Sequence, residues 1–349
     1  MRHARALLAA AAVLASLVAM SPSAMAASSL PVEAWAQYKT RFVSPEGRVI
    51  DDANGNISHS EGQGYGLLLA YLADDQPAFD LIWSFTRTEL LLRDDGLAVW
   101  KWDPATKPHV TDSNNASDGD ILIAYAAALA GKAWGRPALT ASATSMAKAL
   151  GAMVAVHQGR LILMPGAVGY GAADRADGPV VNLSYWVFEA FPVLATLAPE
   201  TDWAKLAADG KALLAQSLTG PRKLPPEWLA LKARPRPAAG FPAEFAYNAL
   251  RIPLYLVRAG ETDAELLKPL AEGMSAEGGV ATVDLAAGTV KERLTDAGYT
   301  IIPALVSCVV DGSKIGPDLT HFTPTLYYPS TLHLLALSFL SERHPECLS

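Results

Sequence analysis

The stretch "NISHSEGQGYGLLLAYLA", residues 56–73, sets Gly62, Gly64 and Gly66 just ahead of an apolar run. It reads either as a loop that cradles a phosphate or as a helix start that presents one acid, Glu61. A phosphate loop follows a strand and opens a helix. Here the preceding "DDANGNISHS" is polar and turn-rich, the spacing is G-x-G-x-G, and no P-loop lysine follows. The helix start fits better. Ser60 and Gln63 match the capping box, with Ser60 as N-cap and Glu61 as the first helical residue. Each glycine costs a helix about 1 kcal/mol relative to Ala. A sequence that carries three needs bare backbone there, against a ligand or against another helix. Glu61 itself either complements the helix dipole or does chemistry.

A second stretch has the same form. "DSNNASDGDILIAYAAALAG", residues 112–131, offers Ser117 and Asp120 as a capping pair and Gly131 as a C-terminal stop. Asp118 then stands in its helix where Glu61 stands in its own. If the two helices are neighbours, their N-termini open at one end and two carboxylates meet. Paired carboxylates are the apparatus of glycoside hydrolysis. Like-charge repulsion from Asp118 is expected to raise the pKa of Glu61, against the pull of the helix N-terminus.

Helix-like apolar segments recur near 61–73, 118–130, 182–195, 246–259, 296–307 and 325–340. Segments such as "NLSYWVFEAFPVLA" and "YNALRIPLYLVRAG" have almost no charged face, which marks buried helices. More amphipathic segments lie between them, at 33–42, 76–92, 139–157, 203–217 and 262–273. The alternation predicts helical hairpins, an inner layer wrapped by an outer one. Strand signals are confined to "GRLILMPG" at 159–166 and "GGVATVDLAAGTV" at 278–290, the latter turning near Ala287-Gly288. The Pro-rich patch at 234–245 reads as a surface loop.

Residues 1–26 have the form of a secretory signal peptide: Arg2 and Arg5, an apolar run from Ala6 to Met20, and Ala24-Met25-Ala26 as a cleavage pattern. Residues 27–349 are then one exported domain, periplasmic or secreted, with no later membrane span. The formal charge of −7 drops to about −9 without the leader, and an acidic balance argues against nucleic acid and anionic membrane as partners. Export permits a disulfide between Cys308 and Cys347. There is no nucleophile elbow and no Cys/His cluster of zinc spacing. No metal or other cofactor is expected. Aromatic residues crowd the polar helix starts, among them Tyr65, Trp100, Trp102, Tyr185 and Tyr247. Trp100 and Trp102 alternate in "VWKWD" and suit one wall of a sugar-binding groove.

In this order, "SEGQGYG", "DSNNASDGDILIAYAAALAG", "NLSYW" and "YNALRIPLY", with "WAQYKTRFVSPEGRVID" near the start, resemble glycoside hydrolase family 8. The likeness is strongest to the periplasmic endo-β-1,4-glucanases that accompany bacterial cellulose synthase. The resemblance implies an all-α (α/α)6 barrel of six inner and six outer helices, with short β hairpins in the loops. It implies hydrolysis of β-1,4-glucan, or of xylan or chitosan in some branches, with inversion. Carried over position by position, it makes Glu61 the proton donor and Asp118 the acid that supports the distorted sugar. Tyr65, Trp102, Asn182 and Tyr185 fall at the glucan groove. Arg251 is expected to orient the polar residue of the third motif.

One position departs. Where the family's third motif begins Tyr-Asp, with that Asp as general base, this chain reads Tyr247-Asn248. A neutral amide takes no proton from water near pH 7. Three readings follow: another base, with Glu244, Asp296 and Asp112 as candidates; an engineered Asn248; or a glucan-binding protein with little turnover. A chitosanase-like enzyme is a further alternative.

Overall fold

The computed structural model describes residues 28–348. The expected signal peptide therefore lies outside the described residues. The helices run α1 Val32–Phe42, α2 Ser60–Leu72, α3 Gln76–Phe85, α4 Ser117–Ala133, α5 Pro137–Gly151, α6 Phe191–Leu197, α7 Trp203–Ser217, α8 Tyr247–Leu250, α9 Ile252–Arg258, α10 Ala264–Met274, α11 Ala297–Asp311, α12 Pro317–Thr320 and α13 Tyr327–Arg343. With α8 and α9 counted as one helix broken at Arg251, they form six outer–inner pairs. The inner ring passes α2, α4, α6, α9, α11 and α13, and closes where α13 meets α2. This is the expected (α/α)6 barrel. The inner helices are buried nearly all round: α4 from Ser117 to Gly131 and α13 from Tyr327 to Leu340, with few exceptions. Their apolar circumference is the physical reason that they sit inside. Among the described residues, no helix is long and apolar enough to cross a membrane.

Two inner segments are more broken than their pattern suggests. Residues 182–195 form two short 3-10 turns, Leu183–Tyr185 and Phe188–Ala190, before α6 begins. Pro192 in the first turn of α6 and Pro253 in the first turn of α9 stand where the missing N–H costs no helical hydrogen bond. Each proline fixes a new beginning inside what reads as one periodic run. On the outside, the segment at 76–92 yields α3 followed by a π turn, Thr86–Leu90. The sixth outer helix, α12, is a single turn that periodicity does not reveal.

The strands are short. Val154–His157 pairs with Arg160–Leu163, and Gly279–Asp284 with Val290–Leu294. The Pro-rich patch adds Arg236–Pro237 to Leu229–Ala230. Ser58–His59 pairs antiparallel with Lys101–Trp102, which brings the loop carrying Trp100 over the start of α2. Cys308 and Cys347 are bonded, with Cα atoms 6.1 Å apart, tying the C-terminal turn to α11.

The glycines of the opening stretch serve a helix crossing. A Cβ on Gly64 would stand 2.5 Å from Leu122 Cβ, and one on Gly119 of α4 would stand 2.1 Å from Ser60 Oγ and 2.6 Å from the Glu61 nitrogen. Bare backbone on both helices lets α2 and α4 touch at their N-terminal ends. The caps differ from expectation. The N-cap of α2 is His59, whose Nδ1 accepts the Gly62 N–H at 2.9 Å, and Ser60 is already helical. Gln63 instead locks the preceding turn, accepting the Val49 N–H and donating to Gly47 O and Thr86 Oγ. Ala116 precedes α4 without a side-chain cap, and α4 runs past Gly131 to Ala133. Gly131 admits Thr140 of α5 at close range.

Candidate active site

Glu61 and Asp118 are the second residues of α2 and α4. Because the helices cross at glycines, both carboxylates reach one cavity of about 610 Å³, lined also by His59, Trp100, Tyr185, Tyr247, Asn248 and Tyr328. Between them lies Arg251. Its Nη1 donates to Glu61 Oε2 at 2.8 Å and its Nη2 to Asp118 Oδ2 at 2.5 Å. The Arg251 side chain is wholly buried, Asp118 nearly so, and Glu61 keeps 16% of its side chain exposed. Arg251 is held in turn by its Nε on Ser184 O at 3.1 Å and by the Tyr185 and Tyr255 rings. It thus orients the two acids, a different task from the expected one of orienting the third motif.

The electrostatics separate the two acids. Burial pushes Glu61 up, but the Arg251 guanidinium and His59 outweigh it and hold Glu61 below the ordinary carboxylate range. Asp118 moves the other way, to about 7: burial raises it, Arg251 opposes, and Glu61 adds like-charge repulsion and a shared hydrogen bond. The expected rise of the Glu61 pKa is therefore corrected. The neighbour's repulsion is real, but the cation between the acids reverses its effect on Glu61, and the raised group is Asp118. Two carboxylates this close hold one proton between them.

The other expected residues divide. Trp100, Tyr185, Tyr247 and Asn248 line the cavity; Tyr65, Trp102 and Asn182 do not. Tyr65 is fully buried, its hydroxyl bonded to that of Tyr255 behind Arg251. Trp102 stacks on His109 with centroids 4.1 Å apart and donates to Glu89. Trp100 lies just ahead of the strand Lys101–Trp102, and of the two rings only that of Trp100 reaches the wall, the Trp102 ring being held by His109 and Glu89. Asn182 is buried, its Oδ1 accepting from the Ser184 backbone N–H and hydroxyl.

None of the three candidate bases lines the cavity. Asp112 accepts from Trp100 Nε1 at 2.8 Å and from the Asn114 N–H. Glu244 pairs with Lys291, and Asp296 sits at the start of α11. Sequence reasoning missed two groups. His59 was legible only as the residue beside Ser60. Asp51, which lines the cavity and faces His59 Nε2 at 3.4 Å, sits in a polar turn with no motif around it.

The sequence profile described as "Glycosyl hydrolases family 8" matches residues 6–339. The chain belongs to glycosyl hydrolase family 8. This family 8 chain is 41% identical over 226 residues to an endoglucanase of Cellulomonas uda, covering 64% of this chain and 62% of that protein. It is 35% identical over 309 residues to a probable endoglucanase of Novacetimonas hansenii, covering 86% and 88%. Among solved structures, an endo-β-1,4-glucanase from Acetobacter xylinum aligns with TM-score 0.80 and 32% identity, over 89% of this chain and 98% of that one. A family 8 endoglucanase from Klebsiella pneumoniae aligns equally well, over 89% and 100%.

Proposed function

We propose that this chain is an endo-β-1,4-glucanase that cuts internal bonds of a glucan lying in the cavity, with Glu61 delivering the proton to the leaving oxygen. The relatives from Cellulomonas and Novacetimonas are an endoglucanase and a probable endoglucanase. The observation that carries the assignment of Glu61 is its convergence with Asp118 on Arg251 at the cavity wall. Below about pH 7 the pair keeps one proton. The proton rests on Asp118 and reaches the glycosidic oxygen through the hydrogen bond that Asp118 shares with Glu61, the more exposed of the two, while Asp118 takes the place beside the reacting sugar. Trp100 and Tyr185 offer flat apolar faces to the sugar rings. An inverting enzyme holds its acid and base about 6.5–9.5 Å apart, leaving room for the attacking water.

The same reading places the enzyme in the periplasm or outside the cell, on the strength of the basic start, apolar run and Ala24-Met25-Ala26. A setting beside cellulose synthase rests on the family resemblance alone. The test is release of reducing ends from soluble carboxymethyl-cellulose by the parent chain and by Glu61→Gln. Activity in the parent that vanishes in Glu61→Gln supports the reading. A parent that binds cello-oligosaccharides and releases nothing returns it to a glucan-binding protein, and a parent active only on chitosan returns it to a chitosanase.

A further inference from the structure

We propose that His59 and Asp51 are positioning residues for Glu61: Asp51 holds the proton of the neutral His59 ring on Nε2, and the bare Nδ1 caps α2 so that its second residue is presented to the cavity. The proposal rests on the reading of Glu61 as the proton donor given above. His59 Nδ1 accepts the Gly62 N–H at 2.9 Å. A ring nitrogen that accepts carries no proton, so the proton of the neutral ring stands on Nε2. Nε2 lies 3.4 Å from Asp51 Oδ2, while Asp51 Oδ1 accepts the Ala53 N–H at 3.2 Å. A carboxylate facing one ring nitrogen fixes the tautomer and leaves the other nitrogen as an acceptor.

The surroundings are built for this ring. A Cβ on Gly62 would stand 3.2 Å from the Tyr327 hydroxyl and 3.3 Å from His59 Cε1, so bare backbone at Gly62 admits the ring against the first turn of α2. Tyr327, the first residue of α13, meets the ring edge-on with centroids 5.7 Å apart. The Tyr327 N–H is held in turn by Asp52 Oδ1 at 2.8 Å. Two neighbouring carboxylates of one turn thus fasten the starts of α2 and α13, the helices where the inner ring closes. Asp51, His59, Glu61 and Tyr327 all line the cavity, so this clasp is part of the site and not a remote support.

The titratable groups that face His59 are Asp51 from the turn, Glu61 from α2, Asp118 from α4 and Tyr327 from α13. Burial keeps the Tyr327 hydroxyl neutral, and Arg251 is committed to the two acids. Burial resists a second proton on His59, but Asp51, Glu61 and Asp118 outweigh it and set its pKa above the ordinary value. That proton has only Nδ1 to take, where it sets a donor against the Gly62 N–H and undoes the cap. It also brings a charge to the site. Burial and Arg251 are the larger influences on Glu61, and the charge of His59 comes next, pulling the same way as Arg251 and making Glu61 a poorer acceptor of the proton from Asp118. The ring therefore supports the acid while neutral and opposes it once charged, which gives the rate an acidic limb.

Asparagine is a strong N-cap and does not titrate, so it separates capping from charge. On carboxymethyl-cellulose, His59→Ala is expected to lower kcat about 10–100-fold, as misplacement of a catalytic group does, with KM little changed. His59→Asn is expected to restore kcat to near that of the parent and to extend activity to lower pH. Asp51→Asn keeps the shape of the partner and removes its charge, so His59 holds its second proton less tightly and the acidic limb moves to lower pH, with the maximal kcat little changed. In the His59→Asn background, Asp51→Asn is expected to leave the profile where it is, since Asp51 acts through the ring. Parent-like kcat in His59→Ala, or a folded His59→Asn no faster than His59→Ala, overturns the capping role. An acidic limb unmoved by Asp51→Asn, or kcat lost at every pH in that variant, overturns the role of Asp51. All of these leave the hydrolase reading intact, whereas a parent that releases no reducing ends overturns both.

Discussion

Arg251 holds Glu61 with one guanidinium nitrogen and Asp118 with the other, at 2.8 Å and 2.5 Å. One buried cation therefore sets the position and the charge of both acids. Lysine has a single ammonium and lacks the planar fork. Arg251→Lys is expected to lower kcat at least about 100-fold, as misplacement of catalytic groups does. Arg251→Met leaves two buried carboxylates without a counter-ion, and breaking a buried pair this way costs about 3–5 kcal/mol. Urea denaturation of both variants, beside their rates, checks this. A parent-like rate in Arg251→Lys removes Arg251 from the positioning of the acids.

The proton held by the pair gives a pH dependence of definite sign. Asp118 sits at about 7 in the folded protein, above the roughly 3.9 of a free Asp. Activity is expected to fall as pH rises through 7, because the proton that Glu61 delivers is lost. Stability follows the same direction. Between about pH 4 and 7 the native state binds a proton that the unfolded chain has released, so stability declines as pH rises across that window. Asp120, also at about 7 through burial, acts alike. Asp118→Asn is expected to flatten both slopes. Denaturation midpoints at pH 5 and pH 7, with a rate profile, would show it, and a midpoint that rises from pH 5 to 7 in the parent contradicts the sign.

Gly119→Ala tests the crossing that brings the acids together. The added methyl would lie 2.1 Å from Ser60 Oγ and 2.6 Å from the Glu61 nitrogen. Overpacking of this kind costs about 1–3 kcal/mol. Because the displaced atoms belong to the residue that presents the acid, kcat is expected to fall further than stability alone explains. Thermal melting and initial rates on the same preparation separate the two effects. An unchanged rate at a lowered melting temperature makes Gly119 a packing residue only.

The Cys308–Cys347 bond closes a loop with a sequence separation of 39. Constraining a loop of this size in the unfolded chain is worth about 3–4 kcal/mol. Reduction, or Cys347→Ser, is expected to lower the denaturation midpoint by that amount while sparing activity, since Cys347 lies outside the cavity lining. Loss of activity in the folded, reduced protein would tie the C-terminal turn to the site.

The sequence alone determined the layering and the two acids. Helices without a charged face have to be buried, and that property is local, written in "ILIAYAAALAG" and in α13 without reference to anything distant. The matched positions of Glu61 and Asp118 followed from two similar helix starts for the same reason. The strand near 278–290, with its turn at Gly288, was equally local and also found. The breaks at Pro192 and Pro253 were visible as residues, but where the chain resumes its helix depends on what packs around it.

Everything that required two distant segments was decided by tertiary structure. No local pattern shows that Arg251 enters between residues about 130 and 190 positions away, or that its charge lowers Glu61 and leaves the raised pKa on Asp118. Nor could it show that Trp102 turns from the cavity while Trp100 faces it, because the partners that hold the Trp102 ring, His109 and Glu89, meet it only in the fold. Asp51 is the clearest case. In sequence it is one acid in a polar turn, and only the closed barrel sets its carboxyl at the cavity against His59. Burial patterns are properties of a segment, whereas fields and hydrogen bonds between side chains depend on distances in space that only the closed ring of helices fixes.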